Sequence, residues 1–139
     1  MTAVLFNARA LPAGSFIPST PVFIHANRLT LDFTVVVAGG ATQVQFFLEY
    51  ASADPNALNT PWFREVAEIV GAGGVVAMPK IVRSFQENGG ANLATGVHNM
   101  SMQFDRHYAF ARLQAGIVGG GGTALMTAVD PFGSQPVSP

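Results

Sequence analysis

Apolar side chains recur at every second position through two neighbouring segments of this sequence. In the first segment they are Leu29, Leu31, Phe33, Val35 and Val37, with Thr30, Asp32, Thr34 and Val36 between them. The second segment alternates in the same way through Val44, Phe46, Leu48 and Tyr50. Because successive side chains of a strand point to opposite faces, each segment predicts a β-strand with one face on a core. Gly39 and Gly40 separate the two segments and predict an antiparallel hairpin.

A second pair of strands is predicted near the end of the chain. The run from Tyr108 to Val118 reads as one long strand, and the four glycines from Gly119 to Gly122 connect it to the strand TALMTAV. This arrangement predicts a second hairpin. Shorter strands are predicted at residues 4–7, 22–25, 62–70, 75–78, 81–85 and 98–104. Residues 65–69 also fit one or two helical turns, because Val66, Ile69 and Val70 would then share a face.

The pattern as a whole predicts an all-β domain. About eight short strands at turn-marked spacing, without a convincing long helix, favour an antiparallel β-sandwich of jelly-roll type. The 139 residues suit a single domain. Within it we expect an N-terminal arm and the first strands at residues 1–28, a sandwich core at 29–129, and an extended, Pro-rich C-terminal tail at 130–139.

The composition constrains what the surface of such a domain can do. Only 11% of the residues are charged, against about 25% in ordinary soluble domains. A surface so poor in charge favours a protein that is largely covered by partners. The seven basic residues are scattered among eight acidic ones, so no nucleic-acid partner is expected. The apolar runs are too short for a membrane span, so we expect no membrane association.

No constellation of residues in the sequence indicates catalysis. The chain contains no cysteine, and its histidines, His25, His98 and His107, lie far apart without metal-ligand spacing. We interpret these histidines as hydrogen-bonding side chains at strand ends. The acidic residues, Glu49 among them, fall mostly at outward strand positions or in loops, which predicts a solvated face. The glycine clusters lack the order of a phosphate-binding loop. We therefore predict no enzyme, no catalytic residue, no cofactor and no metal.

Aromatic residues are the best candidates for an interface. Trp62 and Phe63 begin a predicted strand, and such rings supply large contact area at low entropic cost. The alternative is that one of these two rings is buried in the sandwich while the other faces outward. Arg112 lies within an apolar strand, and we expect it to reach the surface or to pair with an acid. The candidate interface residues are Trp62, Phe63, Tyr108, Pro131 and Phe132.

Two segments resemble parts of small virion proteins of tailed bacteriophages. The segment FFLEYASADPNALNTPWFRE resembles a recurring hairpin of those proteins, with an acidic strand end, a Ser and Asp turn, and a Trp opening the next strand. In this sequence those places are taken by Glu49, Ser52, Asp54 and Trp62. The segment YAFARLQAGIVGGGGTALMTAV resembles their final hairpin, which has an Arg in the penultimate strand and Gly-Gly-Thr before the last. Those places are taken by Arg112, Gly121, Gly122 and Thr123.

This resemblance implies a capsid decoration, or cement, protein. Such a protein is assembled in the host cytoplasm and binds the major capsid protein shell on the capsid surface of the virion, and it would form a homo-oligomer, for example a trimer. The first alternative is a structural protein of the phage tail, such as a tube, adaptor or baseplate component. The second is a carbohydrate-binding module, because sugar-binding β-sandwiches share the pattern. Such a module would use Trp62, Phe63 or Tyr108 as a stacking platform.

Overall fold

The computed structural model describes residues 3–24, 28–53, 61–65, 69–70, 76–77, 81–85, 92–105, 108–131 and 135–136. Its long strands are β1 (Ala3–Ala10), β4 (Arg28–Ala38), β5 (Thr42–Ala51), β10 (Gly96–Asp105), β11 (Phe110–Gly120) and β12 (Thr123–Asp130). Its two-residue strands are β2 (Ile17–Pro18), β3 (Val22–Phe23), β6 (Phe63–Arg64), β7 (Ile69–Val70), β8 (Val76–Ala77), β9 (Arg83–Ser84) and β13 (Gln135–Pro136).

Two antiparallel sheets pack against each other, which confirms the predicted all-β sandwich. Sheet A has the strand order β1-β12-β4-β10. Sheet B has the order β13-β3-β11-β5-β6, with β2 also paired to β11 and β9 also paired to β5. The strands β7 and β8 form a small separate pair. The described residues therefore contain more strands than the eight expected, because several short segments pair with sheet B.

The core lies between the two sheets and takes one side chain in two from each long strand. Three phenylalanines join the layers. Phe33 of sheet A lies 5.1 Å from Phe46 of sheet B, measured between ring centroids, and both rings lie within 5.0 Å of Phe85. All three side chains are essentially inaccessible to solvent. Aromatic rings of this size contribute much of the hydrophobic free energy of a core, and their edge and offset contacts add to it.

The predicted hairpins are wrong, although the strands themselves are present. β4 pairs with β10 and β12 in sheet A, whereas β5 pairs with β11, β6 and β9 in sheet B. The connection between β4 and β5 therefore crosses from one sheet to the other, and so does the connection between β11 and β12. Alternation of apolar and polar residues predicts which face of a strand is buried. A hairpin within one sheet and a connection that crosses to the other sheet bury the same face, so the alternation does not distinguish them.

The two crossing connections lie against each other at one end of the sandwich. The Gly121 N–H donates to the Ala41 carbonyl oxygen at 3.2 Å. Gly39, Gly40 and Gly120 have positive φ angles of 79°, 134° and 86°, a region that side chains with a Cβ rarely adopt. A Cβ added to Gly122 would overlap backbone atoms of the neighbouring connection. The glycines therefore serve close backbone approach rather than a flexible hairpin turn.

Other strand predictions are met to different degrees. The strand predicted at residues 4–7 is part of β1, and the one at 98–104 is part of β10. The predicted strands at 22–25, 75–78 and 81–85 appear as β3, β8 and β9. Residues 62–70 contain β6 and β7, and the alternative helix at 65–69 falls largely on residues 66–68, outside the described residues. In the predicted C-terminal tail, Asp130 ends β12, and β13 pairs with β3.

We expect Gly122→Ala to destabilise the protein by about 1–3 kcal/mol, because the added methyl overlaps the Ala38 and Gly40 carbonyl oxygens and the Thr42 hydroxyl. Urea unfolding would measure the change in the free energy of unfolding. Gly121→Ala is the matched control, because nothing lies within 4 Å of a Cβ at that position. Equal losses in the two variants would contradict close packing of the two connections.

Candidate functional site

A row of exposed apolar side chains crosses the outer face of sheet A. Val97 pairs with Val36, Val36 pairs with Leu125, and Leu125 pairs with Ala10. These four residues therefore occupy directly opposite positions on the four strands of the sheet, and they form what we call the apolar row. Val97 is 62% exposed, Leu125 42% and Val36 37%. Directly opposite side chains in a sheet lie about 4.5–5.5 Å apart, so the row is continuous.

The rest of this outer face carries mainly small, uncharged side chains. Two residues along the strands from the apolar row, the Thr34 hydroxyl donates to the Asn99 side-chain oxygen at 2.8 Å. The Ser101 hydroxyl donates to the Asp32 carboxylate at 2.7 Å. At the far end, Val4 is 42% exposed and lies opposite Val129. These hydrogen bonds partly satisfy the polar groups of the face, which lowers the free-energy cost of burying those groups under a partner.

Exposed apolar area of this kind is unfavourable in water, at about 25 cal/mol per Å². Scattered single exposures are ordinary, whereas large contiguous apolar patches are typical of interaction surfaces. The sequence contained a signal for the apolar row, because Val36 and Val97 occupy outward positions of their strands. The alignment of Val36 and Val97 with Leu125 was not predictable, because it depends on pairing between distant parts of the chain.

The predicted aromatic residues lie together at one end of sheet B. The Phe63 and Tyr108 rings stack with their centroids 5.5 Å apart and an angle of 19° between the planes. Both remain exposed, by 45% and 37%. The Trp62 ring is half-buried and lies against the Arg112 guanidinium, whose central carbon is 4.1 Å from the ring centroid. Neither Trp62 nor Phe63 is buried in the core, which differs from the alternative that one of the two rings is buried in the sandwich.

Glu49 organises the outer face of sheet B beside these rings. Its carboxylate accepts hydrogen bonds from the Arg112 Nε at 2.9 Å and from the Gln114 side-chain amide at 2.8 Å. The Arg64 Nε lies 3.6 Å from its second oxygen. The prediction that Arg112 reaches the surface or pairs with an acid is confirmed by this pair.

The prediction of a solvated face is wrong for Glu49, which is 3% exposed. Trp62, which packs on Arg112, belongs to the same cluster of side chains on the outer face of sheet B. Phe47 also points outward on β5 and is buried, with Phe16 packed against it at 5.2 Å between ring centroids. Side chains from other segments of the chain thus cover the part of the outer face of sheet B around Phe47 and Glu49. Asp130 is a second acid that is buried, at 1% exposed.

The remaining candidate residues give no further site. Pro131 is half-buried directly after β12, and Phe132 and the histidines His25 and His107 lie outside the described residues. His98 forms a hydrogen bond through Nε2 to the Ala94 carbonyl oxygen at 2.6 Å, as expected for a histidine in a β domain. Within the described part of the chain, no group of His, Asp and Glu side chains could hold a metal ion. Nor do those residues form a helix long and apolar enough to cross a membrane.

We expect Arg112→Gln to destabilise the protein by about 1–3 kcal/mol, because it leaves the buried Glu49 carboxylate without its closest charged partner. Arg64→Gln is the matched control. Arg64 is 54% exposed in its side chain and lies farther from the carboxylate, so we expect a change within about 0.5 kcal/mol. Trp62 is the single tryptophan, so its fluorescence should shift in Arg112→Gln and report the loss of the stacked guanidinium. Similar losses in both variants would contradict the role given to Arg112.

The chain was compared with protein-family models, with curated proteins and with solved structures. None of the three comparisons returned a match. The geometry of the two sheet faces is therefore the basis on which a function is proposed.

Proposed function

We propose that this chain is a structural protein of a tailed-bacteriophage virion, and specifically a capsid decoration protein that binds the major capsid protein shell. The observation that carries the proposal is the apolar row on sheet A. It offers a partner a continuous apolar stripe across all four strands, while on sheet B other segments of the chain cover the outer face around Phe47 and Glu49. The resemblance to small virion proteins supplies the identity of the assembly.

The outer face of sheet A suits a docking surface because it is ordered before a partner arrives. Its strands are held by regular ladders from β12 to β4 and from β4 to β10. Binding to such a surface costs little backbone entropy, so the free energy of apolar burial is retained as affinity. The branched side chains Val36 and Val97 also lose little rotamer freedom when they are covered.

The low charge of the chain supports the same function. Apolar interface centres are depleted in charged residues. Four residues form the apolar row, and a single contact of that size would bind weakly on its own. A capsid surface repeats its binding sites, and copies that contact one another as well as the shell gain affinity through effective concentration. Modest contacts are therefore sufficient for stable decoration of a shell.

The carbohydrate-binding alternative receives less support from the geometry. A sugar stacks on an open aromatic face, and the Arg112 guanidinium already occupies one face of Trp62. Phe63 and Tyr108 cover one another on one side. A structural protein of the phage tail would bind its partner through the same apolar row. This alternative therefore differs from the leading proposal only in where on the virion the chain binds.

We expect Val36→Lys to reduce co-sedimentation with capsid shells of the encoding phage by at least about tenfold. The substitution places an ammonium group in the centre of the apolar row, and a tenfold loss corresponds to about 1.4 kcal/mol. Val118→Lys is the matched control, because Val118 is 40% exposed but lies on sheet B. Circular dichroism and the melting temperature should stay close to those of the parent chain for both variants. Equal binding of the two variants would contradict the proposed docking face.

Labelling the chain on purified particles separates the proposed locations. We expect a label to appear over the capsid surface. A signal confined to the tail would replace the decoration role with a tail role. Absence of the chain from particles, together with binding to a glycan array that is lost in Trp62→Ala, would favour the carbohydrate-binding alternative.

A further inference from the structure

The two edges of the central strand pair in sheet B are covered by other segments of the chain. Along the edge of β5 that faces away from β11, the pairing partners in order are Leu93, β9 and β6. On β11, the other edge is paired at Ala13 and along β2 and β3. Unpaired strand edges are templates for pairing with another chain, and natural proteins cover or distort them. Both edges of this pair follow that rule.

Strand β1 forms one edge of sheet A and is distorted. Its pairing with β12 shifts register between Val4 and Phe6 and again between Phe6 and Arg9. Ala8 has a positive φ of 46°, which is uncommon for a residue with a Cβ. Bulges and an edge charge such as Arg9 hinder the addition of a further strand.

Strand β10 forms the other edge of sheet A and has no register shift. Its ten residues pair with β4 in unbroken register from Gly96 to Asp105. From Gly96 to Phe104 it contains no proline, lysine, arginine or acidic residue. Among the described strands, only β4 pairs with it. β10 is therefore a long, regular and nearly uncharged edge.

The inward side of β10 is also incompletely covered. Met100 and Met102 point toward the core, pack against it and remain only half-buried. Their neighbours on that face, His98 and Phe104, are buried. The core is thus open at the middle of this edge, between two closed ends. Methionine adapts its shape to fill irregular gaps, so it suits a contact completed by a second chain.

We propose that two copies of this chain pair edge to edge through β10, antiparallel, around a two-fold axis at Ser101. The regular segment Val97–Asp105 is centred on this residue. In that register Met100 of each copy lies opposite Met102 of the other, and His98 lies opposite Phe104. Inward side chains meet inward ones, so the two cores join. A two-fold contact of this kind is self-complementary.

Charge is compatible with this pairing. The single charged residue of the segment, Asp105, lies opposite Val97 of the other copy, so no like charges face each other. The paired sheets would place both apolar rows on the same side of an eight-stranded sheet. The pair would therefore offer a capsid twice the docking area of one copy. The contact itself does not depend on the capsid proposal, because it uses the edge of the sheet rather than its face.

A single cysteine tests the proposed axis, because the chain has no cysteine of its own. We expect Ser101→Cys to form a disulfide-linked dimer under mild oxidation, since directly opposed residues of antiparallel strands come within disulfide reach. Asn7→Cys is the matched control, exposed on the distorted edge strand β1. Equal cross-linking of both variants would indicate random collision and overturn the proposal, as would the absence of a dimer in Ser101→Cys.

Sedimentation of uncross-linked protein gives an independent measurement. We expect the parent chain to dimerise and Ser101→Lys to raise the dimer dissociation constant several-fold, because two ammonium groups would face each other at the axis. Asn7→Lys should leave that constant unchanged. A monomeric parent chain would overturn the proposal. We expect Val36→Lys to remain dimeric but to lose capsid binding. That result would separate the β10 contact between copies from the contact of the apolar row with the capsid.

Discussion

The two connections that cross between the sheets determine how this protein is put together. β4 and β5 lie in different sheets, and so do β11 and β12, yet β5 pairs with β11 and β4 pairs with β12. The pair β4 and β5 is therefore hydrogen-bonded, one strand in each sheet, to the pair β11 and β12. The crossing requires two backbone segments to touch, and only glycine leaves enough space at Gly120 and Gly122. The β5–β11 and β4–β12 ladders join the strands that these connections link.

The same topology explains why the two sheets have different surfaces. Short described segments between the long strands pair with the central strands of sheet B: Ala13, β2 and β3 pair with β11, and β6, β9 and Leu93 pair with β5. They cover the edges of the β5 and β11 pair, and Arg64 of β6 and the adjacent Trp62 contact the cluster around Glu49 on the outer face. Sheet A receives no such cover from the described residues. Within that described part, Val36, Val97 and Leu125 are exposed on its outer face and β10 pairs with β4 alone.

The functional proposals follow from this difference. A sheet face that is ordered, poor in charge and crossed by an apolar row is suited to association with little loss of entropy. An edge strand without bulges or charges is suited to pairing with another strand. The two contacts use different groups, side chains in the first and backbone in the second. An assembly on a repeating surface can combine both.

The amino-acid sequence by itself determined the long alternating strands and the face that each of them buries, because a period of two has one interpretation on a pleated strand. It also showed the scarcity of charge, and it left two alternatives for Arg112, reaching the surface or pairing with an acid. Only the tertiary structure decided which strands are neighbours, since a hairpin and a crossing connection bury the same side chains. It therefore decided that Glu49 is covered by its own chain. It also decided that Val97, Val36 and Leu125 form one row, because that alignment depends on hydrogen-bonded register between strands far apart in sequence.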